Sequence, residues 1–153
     1  MENIQLATRV RLSINAQVAS SWSVIGFEVS VSRYARAGTC VIRAVRSSKD
    51  SDALTSLLGT TEFVGRNSVL LEVSDSLAAE WVTIFEGVID HFELEPLTGT
   101  LFLECRDYLA LLIDLRVASA WLNMTGAELA EAVILEAGLI PDVGLTAGMV
   151  GQF

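Results

Sequence analysis

Trp81-Val82-Thr83-Ile84-Phe85-Glu86-Gly87-Val88-Ile89-Asp90-His91-Phe92-Glu93-Leu94 runs into Glu95-Pro96-Leu97-Thr98-Gly99 and then Leu101-Phe102-Leu103-Glu104-Cys105-Arg106, and the fold turns on this stretch. Side chains alternate between the two faces of a strand. Trp81, Phe85 and Ile89 therefore share one face, and Val82, Ile84 and Val88 share the other with Glu86 and Asp90. The Pro96/Gly99 segment breaks the run and returns it, which predicts a hairpin with a longer loop. A strand apolar on both sides is covered on both sides. One face is expected to fill the interior of a small barrel, and the other to meet a helix or a neighbouring subunit. Val82, Ile84 and Val88 are thus candidate subunit-interface residues.

Toward the N-terminus the period of two recurs. Val10, Leu12 and Ile14 alternate with polar residues, as do Ile25, Phe27, Val29 and Val31. A turn through Ala35-Arg36-Ala37-Gly38 leads to a strand over Thr39–Arg46, and Ser68–Ser74 reads as another. Between them lies a polar loop, followed by a helical turn through Leu54, Leu57 and Leu58, capped by Asp52 and ended by Gly59. After Asp107 the period lengthens. Leu109, Leu112 and Ile113 suggest a short helix, and Thr125-Gly126-Ala127-Glu128 is a capping box. Leu129, Ala130, Val133, Ile134 and Ala137 then form one apolar face, with Leu129 and Val133 as further interface candidates. Gly138 before Pro141 stops the helix. The expected fold is mainly β with a C-terminal helical segment. About six strands over 8–107 should form a barrel or strongly curved sheet, with the one long helix at 125–137.

Composition narrows the function. Hydrophobic residues make up 52% of the 153, and the mean hydropathy is +0.50. A spanning helix needs about 20 nearly uninterrupted apolar residues. The best run, Tyr108 to Ile113, is stopped by Asp114 and Arg116, so no membrane span is expected. Met1-Glu2-Asn3 has neither a basic start nor an apolar region behind it, which predicts no secretory signal. The apolar surplus is then expected in the core and against partners, in a protein made in the cytoplasm. Cys40 and Cys105 each sit in a strand-like apolar run and read as buried core thiols. Residues 1–50 carry net charge +4 and the remainder −13. Such a field would repel nucleic acid overall; the basic third could bind phosphate, but ion pairing with the acidic remainder, inside or between subunits, is the favoured expectation.

Residues able to carry chemistry are few. His91 lies beside Asp90 at a strand end but has no activated nucleophile. Glu128 and Glu131 share a helix, yet capping explains Glu128. Gly144-Leu145-Thr146-Ala147-Gly148-Met149-Val150-Gly151 lacks the Lys-Ser/Thr ending and preceding strand that phosphate cradling requires. Two cysteines and one histidine make no zinc site. Trp22, Trp81 and Trp121 are spaced as separate anchors. The expectation is no enzyme, no cofactor and no metal.

One succession has a likeness. Phe85-Glu86-Gly87-Val88-Ile89, the Pro96/Gly99 turn, Leu103-Glu104-Cys105-Arg106-Asp107-Tyr108, Leu111-Leu112-Ile113-Asp114, Trp121 to Leu129 and Ala137-Gly138-Leu139 follow one another in order. Together they resemble the phage late control protein D family, tail or baseplate hub proteins related to the type VI secretion spike. The likeness covers residues 81–139 best. It implies a tail-tube-like β-barrel over 1–107, a helical passage over 108–139, and over 140–153 the start of a truncated second domain or a flexible tail. It also implies self-association, as a trimer in the full-length hub, with tail tube and spike proteins as partners. The location implied is a virion tail or prophage-derived tail structure, assembled in the bacterial cytoplasm, with DNA only as passing cargo. A small-molecule-binding β-barrel and a tail-associated hydrolase domain are the competing expectations.

Overall fold

The computed structural model describes residues 8–31, 36–47, 67–74, 80–118 and 120–144. Among them are seven strands, β1 (Arg9–Ile14), β2 (Gln17–Val18), β3 (Trp22–Ser30), β4 (Thr39–Arg46), β5 (Ser68–Ser74), β6 (Val82–Glu95) and β7 (Thr100–Asp107). Two helices follow, α1 (Leu109–Asp114) and α2 (Gly126–Glu136). The helical turn expected at 52–59 and most of the glycine-rich segment after Gly144 lie outside the described residues. The chain divides after Tyr108 into two compact units, one holding the strands and the other the helices. The fold is mainly β with a C-terminal helix, as the periodicity predicts.

The strands form one antiparallel sheet in the order β2-β1-β5-β6-β7-β4-β3. The expected barrel is not closed. Among the described residues β2 and β3 are the two edges, and β2 is only two residues long, too short to offer β3 a ladder. The chain crosses from one edge to the other through Ala19, whose N–H donates to the Leu12 carbonyl at 2.9 Å and whose carbonyl accepts from Trp22 at 3.0 Å. The sheet nevertheless curls around a single apolar cluster. Leu12 and Ile14 share it with Ile42 and Ala44, Val69 and Leu71, Phe85 and Ile89, and Leu101 and Leu103.

Three bulges bend the strands, as a bulge does by adding one unpaired residue. In β3 the register skips Ile25, pairing Val24 with Ala44 and Phe27 with Ile42. Trp22 and Val24 therefore share the core face with Phe27 and Val29, and Ile25 falls out of phase. In β6 the register skips Ile84 against β5 and Asp90 against β7. The second of these keeps Phe92 and Leu94 opposite Leu103 and Leu101, where strict alternation would have turned His91 and Glu93 inward. The first corrects the expected face of Trp81. Val82 pairs with Val73, which pairs with Val10 on the core face, while Trp81 lies beneath Arg9 and Arg11 on the other.

Gly87 marks a close approach of two strand backbones. It is paired with Val69 on one side and Asp107 on the other. A Cβ there would sit 2.1 Å from the Arg106 carbonyl oxygen and 2.8 Å from the Asp107 Cα. Both are backbone atoms, so no rotamer change can yield space. Glycine within a strand commonly signals such an approach.

In the helical unit, α2 begins and ends as its sequence dictates. Thr125 is the N-cap of a complete capping box. At the other end, Gly138 takes φ +77°, which lets the Leu139 N–H reach the Ile134 carbonyl at 3.0 Å and the Gly138 N–H reach the Leu135 carbonyl at 2.9 Å. That is a Schellman motif, and the glycine accepts the left-handed backbone without Cβ strain.

Candidate assembly surface

The residues that could have supported catalysis are dispersed. His91 is exposed and stands opposite Glu104 on β7. Its neighbour Asp90 is held by Arg106, which donates from both Nε and a terminal nitrogen, the latter at 3.0 Å. Glu128 accepts from the Thr125 N–H at 2.7 Å and donates its own N–H to Thr125 Oγ1 at 3.2 Å. The Thr125 backbone N–H, and then its hydroxyl, hold the Glu128 carboxyl below the usual carboxylate range. It is a cap, not a proton shuttle. Replacing Thr125 with alanine should cost α2 about 1 kcal/mol, read as lost helical signal in thermal denaturation. An unchanged melting curve would contradict the capping assignment.

Among the described residues no three His, Cys, Asp or Glu side chains gather as metal ligands, and no helix is long and apolar enough to cross a membrane. Trp22 packs against the core while Trp81 lies on the opposite face, so the two offer no shared stacking platform. The interior expected of a small-molecule carrier would be dotted with polar groups. The inward side chains here are instead the packed apolar cluster.

A polar clamp occupies the face opposite the core at β1 and β5. Arg11 and Glu72 are directly opposed in the register, and the guanidinium grips the carboxylate through two bonds of 2.7 and 2.9 Å. The Arg11 guanidinium also lies 4.3 Å from the centre of the Trp81 ring, with Arg9 at 5.5 Å. This pair joins the basic N-terminal third to the acidic remainder. The Arg11 hydrogen bond lowers the Glu72 pKa, and the same bond raises that of Arg11. A carboxylate with a depressed folded pKa stabilises the fold above its unfolded value, about 4.3, and that stability is lost as pH falls through the folded value. Glu72→Gln should therefore melt lower than the parent at neutral pH, the gap closing over the range below about pH 4.3. Parallel melting-temperature curves across that window would refute the linkage.

The five interface candidates are not in one environment. Val82 is 58% exposed, Ile84 is the bulged residue at 39%, and Val88 is buried at 5%. Leu129 and Val133 are half-buried on α2. Further apolar side chains are exposed where periodicity alone did not place them. Ile25, Phe27 and Val31 lie along or just beyond the edge strand β3, and Leu97 stands at the tip of the β6–β7 hairpin. Along β3, β4, β6 and β7, two shallow depressions of 650 and 340 Å³ share Arg43 and Phe102. The Arg43 guanidinium lies 5.8 Å from the Phe102 ring centre, and Glu93, Glu95 and Glu28 line the depressions. Both are open surface features. The signal for the Arg11 clamp was present in the Arg9-Val10-Arg11 alternation, but nothing in the sequence says which strand lies alongside.

No family model matches the chain, and no curated protein matches it. Solved structures do. The chain is similar to the 43 kDa tail protein of prophage MuSo2 from Shewanella oneidensis, at 16% identity and a TM-score of 0.60, over 96% of this chain and 43% of that one. It is also similar to a chain of the virion of a native gene transfer agent particle, at 13% identity and a TM-score of 0.54, over 82% of this chain and 48% of that one. The chain spans less than half the length of either. At these identities the likeness establishes a shared fold.

Proposed function

We propose that this chain is a non-enzymatic structural part of a phage-type tail, the tube-like β-domain of a hub that joins tail tube to spike. The observation that supports it most is the shared fold with a prophage tail protein over nearly the whole chain. The late control protein D likeness of residues 81–139, which contain the β6–β7 hairpin and α2, adds the hub position. Within such a hub the chain would self-associate, as a trimer in the full-length protein, and contact tube and spike subunits. Val82, Ile84, Leu129 and Val133 would supply apolar contact, and the acidic remainder of the chain would keep passing DNA from adhering. Val88 is buried, at 5% exposure, and would make no direct contact with a neighbour. Its place would be the virion tail or a prophage-derived tail structure.

Obligate interfaces commonly bury more than about 2,000 Å² and are strongly apolar. Sedimentation across a dilution series of the full chain tests the proposal. Concentration-dependent association is expected, weakened by Val82→Glu. A clean monomer at high micromolar concentration would remove the subunit-interface role. A hydrolytic activity abolished by His91→Ala in a folded protein would remove the non-enzyme role.

A further inference from the structure

Cys40 of β4 and Cys105 of β7 are the only two cysteines in the chain, and the register sets them directly opposite one another. Both are buried, at 1% and 2% exposure, within the core cluster. Two hydrogen bonds fix the phase of this ladder. The Asp107 N–H donates to the Gly38 carbonyl at 2.9 Å, and the Arg46 N–H donates to the Gly99 carbonyl at 3.1 Å. Hydrogen-bonded and non-bonded pairs alternate in an antiparallel ladder. No bulge interrupts this one, so Cys40 and Cys105 form a hydrogen-bonded pair. Cα atoms of such a pair lie about 5.5 Å apart, within the span of a disulfide. Their Cβ atoms start roughly 1.5 Å wider than a relaxed disulfide holds them. The bond can close, but under strain, and strained disulfides are the readily reduced ones.

We propose that Cys40 and Cys105 are a redox-sensitive cross-strand pair, closing reversibly to a strained disulfide in oxidising surroundings. The oxidant is a small-molecule disulfide such as oxidised glutathione. One protein thiolate attacks it, forming a mixed disulfide and expelling a small thiolate. The second protein thiolate attacks the protein-bound sulfur and expels the other. One S–S bond forms in the protein, one is lost from the oxidant, and the two protons leave with the two released thiols. Burial pushes the Cys40 thiol up to about 11 and the Cys105 thiol up to about 12. Exchange therefore proceeds during folding or through local opening of β4 from β7. The bond staples the two strands without adding a contact, and its closure needs no tail partner.

The test is refolding of the full chain in glutathione buffers from fully oxidised to strongly reduced, followed by acid quenching, intact mass measurement and a non-reducing gel. Refolding in each buffer removes access to the core as a barrier. In oxidised buffer the monomer should lose about 2 Da, and proteolysis should yield a single linked pair of peptides containing Cys40 and Cys105. Millimolar reduced glutathione should return it to the dithiol. Cys105→Ala should stop at the mixed glutathione adduct on Cys40. A dithiol that persists in oxidised buffer would overturn the proposal, as would accumulation of adducts or linked dimers by the parent chain. A bond that survives refolding in millimolar reduced glutathione would overturn its reversibility.

Discussion

Gly87→Ala is expected to destabilise the sheet by about 3 kcal/mol or more, the upper range for forcing atoms into packed space. The new methyl would stand 2.1 Å from a carbonyl oxygen of β7, so either β6 and β7 separate or the pairing to Val69 is lost. The melting transition of the β signal should fall by about 10 °C. Gly38→Ala provides the contrast. Its Cβ would come nearest to Asp107 Oδ2, at 2.8 Å, the free end of a side chain that can turn away. That turn forfeits the 2.7 Å bond from the Gly38 N–H, a loss of about 1 kcal/mol. Equal effects at the two glycines would mean that the Gly87 approach is looser than described.

Leu103→Ala is the second large effect, at about 3 kcal/mol. Leu103 is fully buried between Ile42 and Phe92 in the register. Its removal leaves a cavity at the centre of the curled sheet, where strands from both sides hold the walls apart. Leu97, on the same hairpin, is 96% exposed, and Leu97→Ala should change stability by no more than about 0.5 kcal/mol. Urea denaturation of both variants measures the difference. A tolerant Leu103 would mean that the interior collapses around the gap and is not the rigid cluster described.

Much of the fold was legible because local chemistry agreed with tertiary structure. Thr125 and Glu128 announce the start of α2, Gly138 its end, and Pro96 with Gly99 the hairpin. The Phe85-Glu86-Gly87-Val88 stretch acquires a physical meaning in the 2.1 Å approach. The bulges were not read, although each left a trace. Apolar residues jump by three between Val24 and Phe27, between Val82 and Phe85, and between Ile89 and Phe92, which shifts phase without changing composition. Strict alternation therefore misplaced Ile25 and Trp81 and grouped Val82 with Val88. Closure of the sheet was illegible for another reason. Whether an edge finds a partner depends on β2 ending after two residues, and Gln17-Val18-Ala19 carries no breaker to announce that. The candidate assembly surface was least legible, because exposure depends on which strands lie at the edge. That order brings β3 to one edge and β4 beside β7, and alternation cannot supply it.

Among the described residues, Ile25 and Phe27 on β3 and Leu97 at the hairpin tip are exposed apolar side chains. Under the proposed function a neighbouring subunit would cover these side chains. Among the described residues the sheet is open at both edges, and an open edge is a liability until something covers it.

The most direct measurement is localisation within assembled particles. An epitope tag at the N-terminus, gold-labelled antibody and electron microscopy of particles purified from the native host would place the chain. The account predicts label at the tail end where tube meets spike. Label distributed along the tube or on the capsid, or intact particles with no label at all, would contradict it.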